Sequence, residues 1–180
     1  MKSLFVKTIT LCFVFCLCLA IGYSGAATTD VSGDFSIDFP CKPAKRSGDI
    51  AAMTIKVYEC EESIDGALFG YQVSSAENKN RRPIKYKGSD VNRMLKIYMI
   101  NNLSVYGIKR DSIEFTVVPN FRSEIPAVYY LTYIQSKVII EGIACLIRGK
   151  HYKIGVIYEW SLKDVGRTKF LRFSNSLNLN

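Results

Sequence analysis

The fold is decided by Ile139-Ile140-Glu141-Gly142-Ile143-Ala144-Cys145-Leu146-Ile147-Arg148-Gly149-Lys150-His151-Tyr152-Lys153-Ile154-Gly155-Val156-Ile157-Tyr158-Glu159-Trp160. Two apolar-rich runs of strand length flank a glycine, which is the pattern of a β-hairpin. Gly149-Lys150 fits a two-residue turn with glycine first. Pairing about that turn sets Ile147 opposite Tyr152, Cys145 opposite Ile154, Ile143 opposite Val156, Glu141 opposite Tyr158 and Ile139 opposite Trp160. Directly opposed residues share a face, so one face is almost wholly apolar and is expected to be core. A slip of one residue would carry Lys153 and Glu159 into that row. The other face gathers Gly142, Ala144 and Gly155, a smooth patch on which either a helix packs closely or a ligand settles.

Outward from the hairpin, Phe35-Ser36-Ile37-Asp38-Phe39 alternates apolar and polar residues and is stopped by Pro40, which predicts a strand with one wet face. Met53, Ile55 and Val57 alternate in a second strand ending near Cys60. A turn at Ser63–Gly66 leads to a third, with Phe69, Tyr71 and Val73 on one face. Ala76 to Gly88 is polar and basic and reads as a loop. Ser89 or Asp90 is placed to cap a helix with Val91, Met94, Leu95, Tyr98, Asn102 and Val105 on its inward stripe, and Gly107 to stop it. Ile113, Phe115 and Val117 mark a further strand. A closing helix from Val165 to about Leu177 should bury Phe170, Phe173 and Leu177. The expected class is α+β, an antiparallel sheet with helices packed against it.

The 180 residues are 48% hydrophobic and 22% charged, ordinary for one folded domain and wrong for disorder. Lys2 and Lys7 precede an uncharged apolar run from Thr8 to Ile21, and Ser24-Gly25-Ala26 supplies small residues for cleavage. This is the three-part form of a secretory signal over 1–26, leaving one domain over 27–180. Fourteen apolar residues fall short of the roughly 20 a spanning helix needs, so a membrane enters only if the signal stays uncut. Removing Lys2 and Lys7 leaves 22 basic against 16 acidic residues, a net charge of +6. That balance favours an anionic envelope component or partner protein, and export argues against nucleic acid.

Of six cysteines, Cys41, Cys60 and Cys145 remain after the signal. Cys41 and Cys60 flank the first hairpin, and a bridge between them would close about 20 residues and contribute roughly 3 kcal/mol. Cys145, on the predicted core face, reads as a buried, inert thiol.

Gly33-Asp34-Phe35-Ser36-Ile37-Asp38-Phe39-Pro40 with Lys42-Pro43 resembles the opening strand of many small exported bacterial proteins, and Phe173, Ser176, Leu177 and Leu179 resemble their ending. The layout is similar to that of PsbP-like proteins. The resemblance implies an antiparallel sheet with helices against it and a non-catalytic accessory or binding role, and it carries over no functional residue.

Signals for chemistry are few. No phosphate loop, dinucleotide fingerprint, metal-binding cysteine pair or hydrolase elbow is present, so neither a metal site nor a cofactor is expected. His151, the one histidine, is expected at the surface beside the turn. Glu141 is the odd acid on the apolar face, placed to bond Tyr158. A hydrolase using Glu141 and Glu159 is the alternative to a binding protein, but the two point to opposite faces of one hairpin. Lys79, Arg81, Arg82, Lys85 and Lys87 form the densest positive run, where Arg81 and Arg82 offer forks for phosphate or carboxylate. The expectation is thus an exported, non-catalytic binding or accessory protein docking an anionic partner through that loop. A signal-anchored structural protein is a further alternative.

Overall fold

A computed structural model describes residues 26–50, 53–79, 89–122 and 125–180. The segment read as a signal lies outside them except for Ala26, and so do Arg81, Arg82, Lys85 and Lys87 of the basic run. The strands are β1 (Ala27–Val31), β2 (Phe35–Phe39), β3 (Ala44–Ile50), β4 (Met53–Ile64), β5 (Ala67–Asn78), β6 (Ile113–Phe121), β7 (Ile125–Ile134), β8 (Val138–Ile147), β9 (Lys150–Glu159) and β10 (Asn178–Leu179). Among the described residues two α-helices join them, α1 (Ser89–Ser104) and α2 (Lys163–Asn175). β3-β4-β5-β9-β8-β7-β6 form a seven-stranded sheet and β1-β2-β10 a small one. Every pairing is antiparallel, so the class is α+β.

The deciding hairpin forms with its faces as expected and its register shifted by two. Cys145 opposes Tyr152, Ile143 opposes Ile154, Glu141 opposes Val156 and Ile139 opposes Tyr158. The turn is Arg148-Gly149 rather than Gly149-Lys150, and Lys150 already pairs with Ile147. Arg148 (φ 50) and Gly149 (φ 76) both lie in the left-handed region, the backbone that matches a two-residue turn to the twist of its strands. A shift of two preserves every side chain's face because the strand period is two. Trp160 leaves the ladder and opens a short 3-10 turn, Trp160–Leu162, into α2.

The shift also corrects the placement of His151. It is a ladder residue opposite Leu146 rather than a turn residue. It is buried and stacks on Tyr98 of α1 at 4.9 Å, and burial lowers its pKa.

The main core lies between the apolar face of the large sheet and a layer made of α2 and the small sheet. Phe35 meets Tyr152 edge-on at 4.9 Å, Phe173 meets both Phe39 and Tyr71 at 5.1 Å, and Phe69 stacks on Tyr158 at 5.0 Å. Phe170, Phe173 and Leu177 are buried, as the sequence pattern requires. A second core lies on the opposite face, where Val91, Leu95, Met99 and Leu103 of α1 meet Val128, Tyr130 and Ala144. The inward stripe of α1 thus repeats every four residues, and the expected Val105 is instead 82% exposed. Val105 follows the last helical residue, and the chain turns away at Gly107, whose φ is +74.

Candidate functional site

Helix α1 packs on β6, β7 and β8, so it covers only part of its face of the large sheet. On that face β9 presents Lys153, Gly155 and Ile157. Their partners are Ala144, Gly142 and Ile140 in β8 and Ser74, Gln72 and Gly70 in β5. Ala144 lies beneath the helix. The glycines lie beyond it, beside the helix's last turn, where a cavity of about 370 Å³ opens.

The cavity exists because of the small residues beneath it. A Cβ on Gly142 would lie 2.5 Å from the Ile154 carbonyl oxygen, and the Tyr130 hydroxyl occupies the remaining room. A Cβ on Gly155 would come within 2.7 Å of the same hydroxyl. Tyr130 therefore reaches across the paired glycines, and its phenol borders the cavity. Within the smooth patch read from the sequence, Ala144 seats the helix, as one of the two expected readings requires, and Gly155 lines a cavity.

Leu103, Ile134, Ile140 and Ile157 give the cavity an apolar wall, and Tyr106 and Tyr130 add amphipathic surface. Arg46, Glu59 and Glu61 supply charge from β3 and β4. Arg46 is bound to Glu59 at 3.0 Å. Lys153 lines the same space, half-buried, and among the described residues it has neither a hydrogen bond nor an ion pair. Burial pushes its ammonium down to about 8, against a weaker upward pull from Glu59. The Tyr130 phenol is raised above its ordinary value, chiefly by burial, and so remains a hydrogen-bond donor across the physiological range. A desolvated amine and a protonated phenol in one apolar cavity can grip an oxygen-bearing head group while the aliphatic wall takes the rest of the molecule.

Of the residues singled out from the sequence, Cys60 lines the cavity, Arg81, Arg82, Lys85 and Lys87 lie outside the described residues, and Lys79, Cys41, Cys145, Glu141 and Glu159 lie elsewhere. Lys79 is paired with Asp49 at 3.1 Å. Cys41 and Cys60 form the expected disulfide, with Cα atoms 6.0 Å apart. Cys145 is fully buried, and burial raises its thiol to about 12, so it is inert. Glu141 accepts from the Tyr158 hydroxyl at 3.1 Å and pairs with Arg167 of α2 at 3.2 Å, fastening helix to sheet. Glu159 points to the opposite face and accepts from the Leu68 backbone N–H at 3.3 Å, so no carboxylate pair forms. Among the described residues no three His, Cys, Asp or Glu side chains cluster as metal ligands. No described helix is long and apolar enough to cross a membrane.

Lys153 and Tyr130 were not singled out from the sequence. The available signal was a lysine two residues before Gly155 in an otherwise apolar strand, a position that solvent exposure explains equally well. Only the end of α1, set by tertiary packing, shows that Lys153 faces a cavity. No protein-family model matches the chain, and no curated protein shows significant sequence similarity to it.

Proposed function

We propose that this chain is an exported, non-catalytic binding module that holds one small, largely apolar molecule in the cavity, with the head group at Lys153. The observation that carries this reading is a lysine that, among the described residues, has no hydrogen bond or ion pair inside a concave, mainly apolar wall. A cation in such surroundings is costly unless something else satisfies it, and a bound oxygen does so. The volume falls within the roughly 300–1,000 Å³ of small-molecule sites. The Cys41–Cys60 bridge and the PsbP-like resemblance of the two chain ends support an oxidising compartment and an accessory role. This reading makes no use of the basic run from Lys79 to Lys87, of which Lys79 pairs with Asp49.

The test uses octanol as the probe, followed by amide chemical shifts. It should perturb Leu103, Ile140, Lys153 and Gly155 together, and Ile140→Trp, which fills the cavity, should abolish the response. Shifts that appear elsewhere, or that survive the filling variant, would overturn the assignment.

A further inference from the structure

We infer that Lys153 captures carbonyl compounds: the ligand class of the cavity is an aldehyde with an apolar tail, held reversibly as an imine on Nζ. This rests on the cavity being a small-molecule site and adds the chemistry of the head group.

The charge around the cavity decides between a carboxylate and a carbonyl. The lining carries two cations, Arg46 and Lys153, and two carboxylates, Glu59 and Glu61. Arg46 is held by Glu59 at 3.0 Å, and Glu61 follows two residues later on the same strand. With Glu59 neutralised by Arg46, an incoming carboxylate would gain the Lys153 ammonium and meet the like charge of Glu61. An aldehyde carries no charge and meets no such opposition.

Lys153 also has what a carbonyl-trapping amine needs. A lysine becomes nucleophilic only without its proton, and a desolvating wall with no paired carboxylate favours that form. Three other lysines are tied to acids, Lys150 to Asp34 at 2.9 Å, Lys169 to Glu62 at 2.7 Å and Lys79 to Asp49 at 3.1 Å, whereas Lys153 is not. Tyr130, with its phenol kept protonated in the same cavity, offers a donor to the carbonyl oxygen.

The step balances without an oxidant or reductant. The Nζ lone pair adds to the carbonyl carbon, and a proton passes from nitrogen to oxygen to give a carbinolamine. Loss of a second nitrogen-bound proton together with the hydroxyl then releases one water and leaves the C=N bond. Hydrolysis reverses each step, so the ligand is held and released rather than consumed.

The experiment incubates the disulfide-bonded protein with octanal at pH 7.5, traps imines with cyanoborohydride and maps adducts by peptide mass. At that pH a lysine with the Lys153 environment carries on the order of 100-fold more neutral amine than an ordinary one, so Lys153 should be labelled at least about tenfold faster than any other lysine. Lys153→Arg should lose the label while melting normally, and octanal left untrapped should be removed by dialysis. Labelling spread across exposed lysines, or retained in Lys153→Arg, would overturn the inference. If octanal perturbs the cavity amides yet no adduct forms on Lys153, carbonyl capture falls and the binding site stands. If neither octanol nor octanal perturbs the cavity, both fall.

Discussion

The Lys150 ammonium lies 2.9 Å from the Asp34 carboxylate, joining two turns that are 116 residues apart in the chain. The Tyr152 hydroxyl donates to the same carboxylate, and Arg148 approaches its other oxygen at 3.5 Å. This cluster fastens the β1–β2 turn of the small sheet to the β8–β9 turn of the large one. Burial acts to raise the Asp34 pKa, but Tyr152, Lys150 and Arg148 outweigh it and hold the carboxyl below its usual value.

Asp34→Asn should therefore destabilise the protein by about 2 kcal/mol at pH 7, because it leaves the Tyr152 hydroxyl and Lys150 without their anion. The sign with pH follows from a depressed carboxylate. Its contribution is fully present above the unfolded value near 4 and is lost as pH falls through the lower folded value. Denaturant titrations at pH 7 and pH 3 should show the gap between wild type and variant narrowing in acid. An equal gap at both would mean that Asp34 acts through shape alone.

Gly166 sets how closely α2 sits on the sheet. An added Cβ there would lie 2.3 Å from the Tyr158 ring, which in turn is bonded to Glu141. In an open helix, glycine to alanine gains about 1 kcal/mol of propensity. Here the steric term, about 1–3 kcal/mol or more for overpacking, should exceed it. Gly166→Ala should lower stability, whereas Gly48→Ala, with nothing within 4 Å of the new atom, should change it by less than about 0.5 kcal/mol. Thermal melts of the two variants decide the matter, and a stabilised Gly166→Ala would show that the helix can move outward at little cost.

Legibility followed the strength of each local pattern. The β8–β9 faces, the strand Phe35–Phe39, the buried positions of α2 and the Cys41–Cys60 pairing were all readable, because each rests on alternation, helical spacing or proximity in sequence. Three strands left no comparable trace. Ala44–Ile50 is an edge strand with most residues exposed, Ala27–Val31 is mostly polar, and Asn178–Leu179 is only two residues long. Such strands exist through pairing with a partner rather than through their own side chains. Ala76, Glu77 and Asn78 read as loop for the same reason, yet they continue β5 opposite Ile55, Thr54 and Met53. The cavity was the least legible feature. Part of its floor was visible as Gly155, but its wall needs the end of α1 and the ring of Tyr130 from β7.

The Cys41–Cys60 bridge closes a loop spanning β3, and Cys60 stands between the cavity residues Glu59 and Glu61. Replacing both cysteines by alanine should cost about 3 kcal/mol, the loop-closure value for this separation. Non-reducing peptide maps should show the one bridge, and Cys145 should resist alkylation until denaturant is added. Prompt alkylation of Cys145 in the native protein would contradict its burial beneath α2 and the small sheet.

Lys153 predicts an unusual alkaline limb. Its folded pKa is about 8 against 10.5 for a free lysine, so between those values the unfolded chain binds more protons than the folded one. Stability from this residue must then rise with pH across that window, the reverse of the usual lysine effect, because the cost of burying the charge disappears as the amine deprotonates. Other groups act in the opposite direction. Cys145 from about pH 9, and Tyr98 and Tyr129 from about pH 10, have folded pKa values near 12 and lose stability as the unfolded chain ionises. Glu59, Glu61 and Arg46 share the cavity wall with Lys153. A direct curve for the wild type mixes these terms, so the informative quantity is its difference from Lys153→Met, which keeps the side-chain length and removes the charge. At pH 7 the methionine variant should be more stable by about 1–2 kcal/mol. That advantage should shrink from pH 8 upward and vanish near pH 10.5, as measured by urea denaturation at half-unit steps. An advantage that stays constant with pH would show that Lys153 is solvated in the folded protein, and the chemistry assigned to the cavity would lose its basis.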